Sequence, residues 1–343
     1  MTPAPSCKAA LELHQSGKLT ESVTAYRQCL ESHPEWAEPR SNLGAALAAL
    51  GRYEEAAHEY LRVLDSNPER TAVRRNLALA YYKSARIPEA TAELMKILRD
   101  KPHNRDVAIL LADCYFRTGQ EDRIPELLEP VAKQNADDKA VAYLLGTALI
   151  RTGQIERGQV WVDRILAEGE SAEARLMLGL AQLEQKHYEA AVPDLKRAAA
   201  LNPKLTGVHA FLGLALLGQN RPELARREFE AELQSDPNNY ESHFQLGLLE
   251  KEASNFEAAL TRFNRARQLR PGSLKVGFQI GVALLALQRN SEAAREFENL
   301  LEQAPEFAEA HASLSVAYYR LKRRADGDRH RAIERRLREK AAP

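Results

Sequence analysis

The chain has 343 residues, of which 44% are hydrophobic and 28% charged, and its 48 basic and 48 acidic side chains give a formal net charge of zero. This composition is typical of a folded protein and excludes a strong overall field that would attract nucleic acid or an anionic membrane. No run of about 18 apolar residues is present, so the sequence predicts no membrane span.

Prolines recur at a fixed spacing. They stand at Pro34, Pro68, Pro102, Pro203, Pro237, Pro271 and Pro305, so five of the six intervals are 34 residues and the sixth, 101 residues, is three such units less one residue. A period of this length is typical of helical-hairpin arrays. A frame that starts at Ala37 gives ten repeats in one domain spanning 1–343: 3–36, 37–70, 71–104, 105–138, 139–171, 172–205, 206–239, 240–273, 274–307 and 308–341.

Each repeat predicts two helices. Apolar residues at frame positions 4, 7, 8 and 11 follow helical spacing, a polar break follows, and a second helix runs to the proline. Position 8 always carries a small residue: Ala10, Gly44, Ala78, Ala112, Gly146, Gly179, Gly213, Gly247, Gly281 and Ser315. Position 24 carries a large apolar residue in the first nine repeats: Tyr26, Tyr60, Leu94, Leu128, Val162, Leu195, Phe229, Phe263 and Phe297. We therefore expect these small residues to be buried where the two helices cross.

The pattern resembles the tetratricopeptide repeat (TPR). The second repeat carries nearly all of the family's signature, in Gly44, Leu47, Gly51, Tyr53, Ala56, Tyr60 and Pro68, and the resemblance extends over 3–341. It implies an all-α fold, an α-solenoid of ten antiparallel helical hairpins in a right-handed superhelix, with the first helices lining a concave groove. In style the chain is similar to bacterial repeat proteins that assist assembly.

The fourth and fifth repeats are the least regular. Pro125 and Pro130 bracket a predicted second helix, and the fifth repeat is one residue short and lacks its proline. A proline inside a helix costs about 3 kcal/mol, so we expect irregular geometry between residues 121 and 171. Sequence drift and a hinge between two half-solenoids are both consistent with this.

The last repeat is strongly basic. Residues 320–340 contain ten Lys or Arg against four Asp or Glu. A solvated terminal cap is the simpler interpretation, and a patch for nucleic acid or lipid headgroups is the alternative.

No catalytic, cofactor or metal site is predicted. His209, His243 and His311 share frame position 4 of separate repeats, too far apart for one ion, and are interpreted as packing residues. No phosphate loop or nucleophile motif is present. The three cysteines are Cys7, Cys29 and Cys114; Cys7 and Cys29 form either a disulfide across the first hairpin or two separate thiols. No signal peptide is visible, which predicts a cytoplasmic protein, or a periplasmic one if a leader was removed or that disulfide forms.

The first helices carry the predicted binding groove. Its residues are Asn42, Arg75, Asn76, Tyr82, Phe116, Tyr143, Leu176, Leu180, Leu183, Leu214, Leu217, Phe244, Gln245, Phe278 and Gln279. We expect a protein or peptide partner, centred on repeats four to eight, with its acidic or polar end oriented by Arg75, Lys83, Arg117 and Arg151. Packing between adjacent helices could equally explain Leu176, Leu180 and Leu183. The function predicted is therefore a non-catalytic scaffold; an RNA-binding helical-repeat protein or an accessory subunit of an enzyme or envelope complex are the alternatives.

Overall fold

The structure is a computed structural model that describes residues 5–135, 137–167 and 169–341. Over these residues the chain forms twenty α-helices and no strand. The helices are α1 Pro5–Gln15, α2 Leu19–Ser32, α3 Ala37–Ala49, α4 Tyr53–Ser66, α5 Thr71–Lys83, α6 Ile87–Asp100, α7 Arg105–Thr118, α8 Ile124–Gln134, α9 Lys139–Arg151, α10 Ile155–Leu166, α11 Ala172–Glu184, α12 Tyr188–Leu201, α13 Val208–Gly218, α14 Pro222–Ser235, α15 Tyr240–Glu252, α16 Phe256–Leu269, α17 Leu274–Ala286, α18 Asn290–Gln303, α19 Ala308–Arg320 and α20 Arg324–Ala341.

The fold is the predicted α-solenoid. All seven repeat prolines lie in the turns between hairpins, as expected. The contacts divide the chain into two compact units, unit 1 (residues 1–164) and unit 2 (residues 165–343). Within each unit the helices pair as hairpins, and a second helix packs on the first helix of the next hairpin, as α4 does on α5 and α12 on α13. This stacking stabilises helices that are too short to be stable alone.

Irregularity occurs within the expected stretch. A 3₁₀ turn, Glu121–Arg123, precedes α8, which has 11 residues where most second helices have 14. Pro125 lies in the first turn of α8 and Pro130 in its interior. The shortened helix confirms the prediction made from the two prolines.

The two helices of a hairpin touch at frame positions 8 and 24. A Cβ atom added to Gly44 would lie 2.6 Å from the Tyr60 ring, and one added to Gly213 would lie 2.7 Å from the Phe229 ring. The same overlap occurs with the Phe263 and Phe297 rings at Gly247 and Gly281, and with the Leu195 side chain at Gly179. All five glycines are buried, as predicted. The absent side chain is what allows the ring to lie against the first-helix backbone.

A left-handed residue at frame position 15 separates the two helices of every hairpin. Gly51 has φ 76°, and the equivalent Ala85 and Ser254 have φ 61° and 62°. Glycine adopts this conformation at little cost, whereas a residue with a Cβ is strained there. The last five repeats carry non-glycine residues at this position: Lys186, Asn220, Ser254, Gln288 and Lys322.

Cys7 and Cys29 form a disulfide between α1 and α2, with their Cα atoms 5.1 Å apart. Of the two arrangements that the sequence left open, the structure therefore has the bonded one. The bond closes a loop over a sequence separation of 22 residues. By restricting the unfolded chain, a disulfide across a loop of this order stabilises the folded protein by roughly 3 kcal/mol. Cys114 is free and buried.

The contact between positions 8 and 24 predicts a coupled pair of substitutions. Gly213→Ala should destabilise the protein by about 1–3 kcal/mol because its methyl group overlaps the Phe229 ring. Phe229→Leu alone should also destabilise it, because a buried ring is lost. The stability loss of the double variant should be smaller than the sum of the two single losses. Repeats three and four already combine alanine with leucine at these positions, as Ala78 with Leu94 and Ala112 with Leu128.

Urea denaturation of the four proteins measures this coupling. Gly272→Ala is the matched control, since a Cβ there meets no atom within 4 Å. Losses that add without coupling would show that the assigned contact does not set the packing.

The disulfide predicts the number of reactive thiols. The oxidised chain, unfolded in denaturant, should expose one thiol, that of Cys114, and three after reduction. In the folded protein Cys114 should not react, because burial raises the pKa of its thiol to about 12. Mass spectrometry after alkylation gives the count, and three thiols in unreduced, air-oxidised protein would contradict the pairing.

Candidate interaction surfaces

In unit 2 the first helices present a row of large apolar side chains. We define the unit 2 face as frame positions 5, 9 and 12 of α11, α13, α15, α17 and α19. Two of its predicted groove residues are buried in the core of the free chain: Leu176 is 0% exposed and Leu180 is 1% exposed. Adjacent first helices such as α11 and α13 touch. For Leu176 and Leu180 packing is therefore the explanation, and the expectation that they line an open groove is wrong.

The other apolar residues of this face are partly exposed. Leu183, Leu214 and Leu217 are half-buried. Towards the last repeats the face becomes more open, and Val316 is 40% exposed. The face therefore offers apolar surface in consecutive repeats.

Aromatic rings form part of the same face. Phe244 and Phe278 are half-buried, with ring centroids 6.0 Å from Phe263 and Phe297 respectively. Phe278 also packs at 5.1 Å from Phe307. These contacts fix the two rings in place while leaving part of each accessible.

The two glutamines predicted for the groove make local hydrogen bonds. Gln245 Nε2 donates to Glu241 Oε1 at 2.7 Å, and Gln279 Oε1 accepts from Lys251 Nζ at 2.8 Å. Both glutamines are half-buried. They therefore border the apolar row as oriented polar groups.

In unit 1 the corresponding face is polar and aromatic. Arg117 Nε donates to Asp113 Oδ2 at 2.9 Å and to the Tyr82 hydroxyl at 3.0 Å, and Tyr82 donates to Asp113. Burial, followed by the Asp113 charge, raises the pKa of Tyr82, which therefore remains protonated. Tyr82, Asp113 and Arg117 form one connected set that holds the ring in place.

A second arginine of unit 1 is also engaged. Arg151 pairs with Glu121 at 2.6 Å and lies over the Phe116 ring, 5.5 Å from its centroid. Tyr143 is half-buried, whereas Arg75 and Lys83 are exposed. Of the four cations expected to orient a ligand, Arg117 and Arg151 therefore already have carboxylate partners.

Asn42 and Asn76 are half-buried, and each acts on the hydroxyl of a buried tyrosine in the preceding repeat. Asn42 interacts with the Tyr26 hydroxyl and Asn76 with the Tyr60 hydroxyl, each partly offsetting the rise in phenol pKa that burial causes. Between repeats three and four the residues at the two equivalent positions are both apolar: Leu94 replaces the tyrosine and Leu110 replaces the asparagine. A buried phenol needs a polar partner and a leucine does not, which explains why the two positions change together.

Frame position 4 carries a clamp that sequence reasoning missed. Arg40 donates to Glu59 at 2.7 Å and to the carbonyl oxygen of Pro34 at 2.6 Å. Arg74 makes the same two contacts, with Glu93 and Pro68. The side chain ties the turn between hairpins to the second helix of its own hairpin. The recurrence of Arg with Glu at positions 4 and 23 was the available signal.

The histidines at position 4 use the same geometry. His209 Nδ1 lies 2.7 Å from Glu228 Oε2, and Nε2 of His243 and of His311 each lies 3.0 Å from a proline carbonyl. The pKa of His209 is raised, chiefly by Glu228, whereas that of His243 is lowered by burial and by Arg262 and Arg265. These histidines therefore make hydrogen bonds as well as packing contacts.

Comparison with known proteins identifies the family. A tetratricopeptide repeat model matches residues 7–71, 143–205 and 212–273, and a second model of the same description matches 250–315. These matches cover more than half of the chain, which therefore belongs to the tetratricopeptide repeat family. No curated protein sequence matches it significantly.

Solved structures share the fold at low identity. The APC/C hetero-tetramer Cut9-Hcn1 is similar with a TM-score of 0.58 and 14% identity, over 96% of this chain and 72% of that one. A tetratricopeptide repeat protein from Parabacteroides merdae gives 0.54 and 13%, over 72% and 98%. Human IFIT1, as a dimer with PPP-AAAA, gives 0.52 and 16%, over 96% and 89%. At these identities the similarity shows the fold alone.

No described helix is both long and apolar enough to cross a membrane. The described residues also contain no group of three or more His, Cys, Asp or Glu side chains that could hold a metal ion.

The position-4 histidines predict opposite pH dependences. The folded pKa of His209 lies above its unfolded value of about 6.5, so its contribution to stability is present below that pH and is lost as pH rises through the folded pKa. The folded pKa of His243 lies below, so its contribution is present above about pH 6.5 and is lost as pH falls towards the folded pKa.

Stability of His209→Gln and His243→Gln, measured by denaturation between pH 5 and 8.5, tests both signs. The loss caused by His209→Gln should shrink as pH rises, and that caused by His243→Gln should grow. Parallel pH profiles for the two variants would show that Glu228 does not raise the pKa of His209 or that burial does not lower the pKa of His243.

Proposed function

We propose that this protein is a non-catalytic scaffold that binds a protein partner on the unit 2 face. The observation that supports this most is the partly exposed apolar row at equivalent positions of consecutive first helices, which includes Leu214, Phe244, Phe278 and Val316. Apolar surface that recurs in this way marks an interaction site in soluble proteins. Covering one such side chain fully stabilises a complex by at most about 1.5–3 kcal/mol, so a few anchors suffice.

An amphipathic helix of the partner suits this row. Packed helices lie about 8–10 Å apart, so equivalent residues of successive first helices recur at about that interval. Two turns of a helix span about 11 Å, so apolar residues at i and i+7 of a partner helix can meet consecutive repeats. Gln245 and Gln279 would then accept or donate hydrogen bonds along the border.

The corresponding surface of unit 1, at frame positions 5, 9 and 12 of its first helices, is proposed as a separate contact surface of different character. This surface carries the rings of Tyr82, Phe116 and Tyr143 and the exposed side chain of Arg75. Aromatic and arginine side chains are enriched at protein interfaces, and the fixed Tyr82 ring loses little entropy on binding.

A pull-down from native extract tests the unit 2 proposal. Leu214→Glu combined with Val316→Glu should abolish recovery of the partner that the unmodified chain captures, because two carboxylates would have to be buried against apolar surface. Leu201→Glu, which changes a residue 40% exposed at the end of the second helix α12, is the matched control and should retain the partner.

Quantitative mass spectrometry compares the recovered proteins, and thermal melts confirm that all variants fold. Equal recovery by the double variant and the control would exclude the unit 2 face as the binding surface.

A further inference from the structure

Four hairpin turns contain an arginine with an acidic partner of its own. Frame position 16 is Arg in repeats two, three, seven, nine and ten. In four of these repeats it pairs with an acid three residues later: Arg52 with Glu55 at 2.7 Å, Arg86 with Glu89 at 2.8 Å, Arg289 with Glu292 at 2.7 Å and Arg323 with Asp326 at 2.8 Å. In repeats three and ten the guanidinium also lies over a tyrosine ring, at 4.5 and 4.4 Å from its centroid.

In the seventh repeat the arginine at position 16 lacks both of these partners, the acid and the tyrosine ring. Arg221 has Leu224 where the other repeats have the acid, and Leu216 where repeats three and ten have tyrosine. In the described part of the chain the Arg221 side chain makes no ion pair, hydrogen bond or ring contact. The sixth repeat likewise has Ala190 in place of the acid, beside His187 and the exposed Lys186.

These two turns line one cavity of unit 2. The cavity, about 750 Å³ in volume, lies between hairpins α11/α12 and α13/α14. The turns are held together tightly: a Cβ on Gly218 would lie 2.4 Å from the Tyr188 ring, and Gln219 Nε2 donates to the carbonyl oxygen of Tyr188 at 3.2 Å. A volume of this order is typical of ligand sites.

The lining combines cations with apolar surface. Lys186, His187 and Arg221 lie at the cavity with one acid, Glu189, while Val192 and Pro193 contribute apolar surface. Arginine can bind a carboxylate through two parallel hydrogen bonds, as Arg52 does with Glu55 and Arg289 with Glu292, and in four other repeats the local acid is the partner of the arginine. The seventh repeat presents the same arginine with that place vacant.

We propose that this cavity binds an acidic peptide segment of a protein partner, with a carboxylate on Arg221 and a neighbouring apolar side chain against Val192 and Pro193. None of the residues that line it belongs to the unit 2 face, so the site is additional to the proposed scaffold surface. Because the cations are exposed, binding should weaken as salt concentration rises.

Fluorescence anisotropy with a labelled hexapeptide of alternating Glu and Leu tests the proposal. The intact chain should bind it at low salt at least about tenfold more tightly than the Gln/Leu peptide of the same length, a difference of about 1.4 kcal/mol. Arg221→Gln should lose that preference. Leu224→Glu should lose it too, because it restores the acid that occupies the arginine in four other repeats.

Arg289→Gln is the matched control, since Arg289 has the same frame position but is paired with Glu292; it should bind as the unmodified chain does. The Leu214→Glu/Val316→Glu variant should also bind the peptide, which separates this site from the unit 2 face. Thermal melts check Leu224→Glu, and Lys186→Gln gives a second test at an exposed residue.

Unchanged peptide binding in both Arg221→Gln and Leu224→Glu would overturn the proposal. Displacement of the peptide by inorganic phosphate would support recognition of an oxyanion at Arg221. Binding of phosphate without binding of the peptide would overturn the peptide as the ligand.

Discussion

The contact between frame positions 8 and 24 is the constraint on which the solenoid depends. Where position 8 is glycine and position 24 is aromatic, as at Gly44 and Gly213, the facing ring lies in the space that a Cβ would fill. This brings the two helices of a hairpin close enough to bury the ring completely, as for Phe229 at 0% exposure. Since short helices gain stability from packing rather than propensity, the hairpin, and then the stack, follow from this contact.

Polar contacts add a second level of organisation between hairpins. The arginine or histidine at position 4 holds the preceding turn, and the arginine at position 16 holds its own. The side chains at positions 4 and 16 both depend on partners at other frame positions. The residue at the partner position therefore determines which contacts the cation or histidine makes. Glu228 raises the pKa of His209, whereas burial, with a smaller effect from Arg262 and Arg265, lowers the pKa of the equivalent His243. Arg221, whose partner positions carry leucine, is the exception that points to a binding site.

The predicted groove illustrates what a residue pattern does and does not determine. The spacing assigned both Leu176 and Leu214 to the predicted groove on the first helices. In the structure Leu176 is fully buried, whereas Leu214 is half-buried. Their difference depends on how closely neighbouring first helices approach, which a single repeat does not encode. In the same way Arg117 stands at a groove position, but Tyr82 of the preceding repeat and Asp113 occupy its guanidinium group.

The sequence by itself determined the family, the hairpin boundaries, the small residues at the crossings and the irregular stretch around Pro125 and Pro130, because each depends on local spacing or backbone chemistry that repeats every 34 residues. Only the tertiary structure decided the Cys7–Cys29 pairing, the burial of Leu180 and the cavity beside Arg221. Each of these depends on distances between side chains brought together by packing. Periodicity specifies which face a residue occupies, and the approach of the neighbouring element decides whether that face is covered.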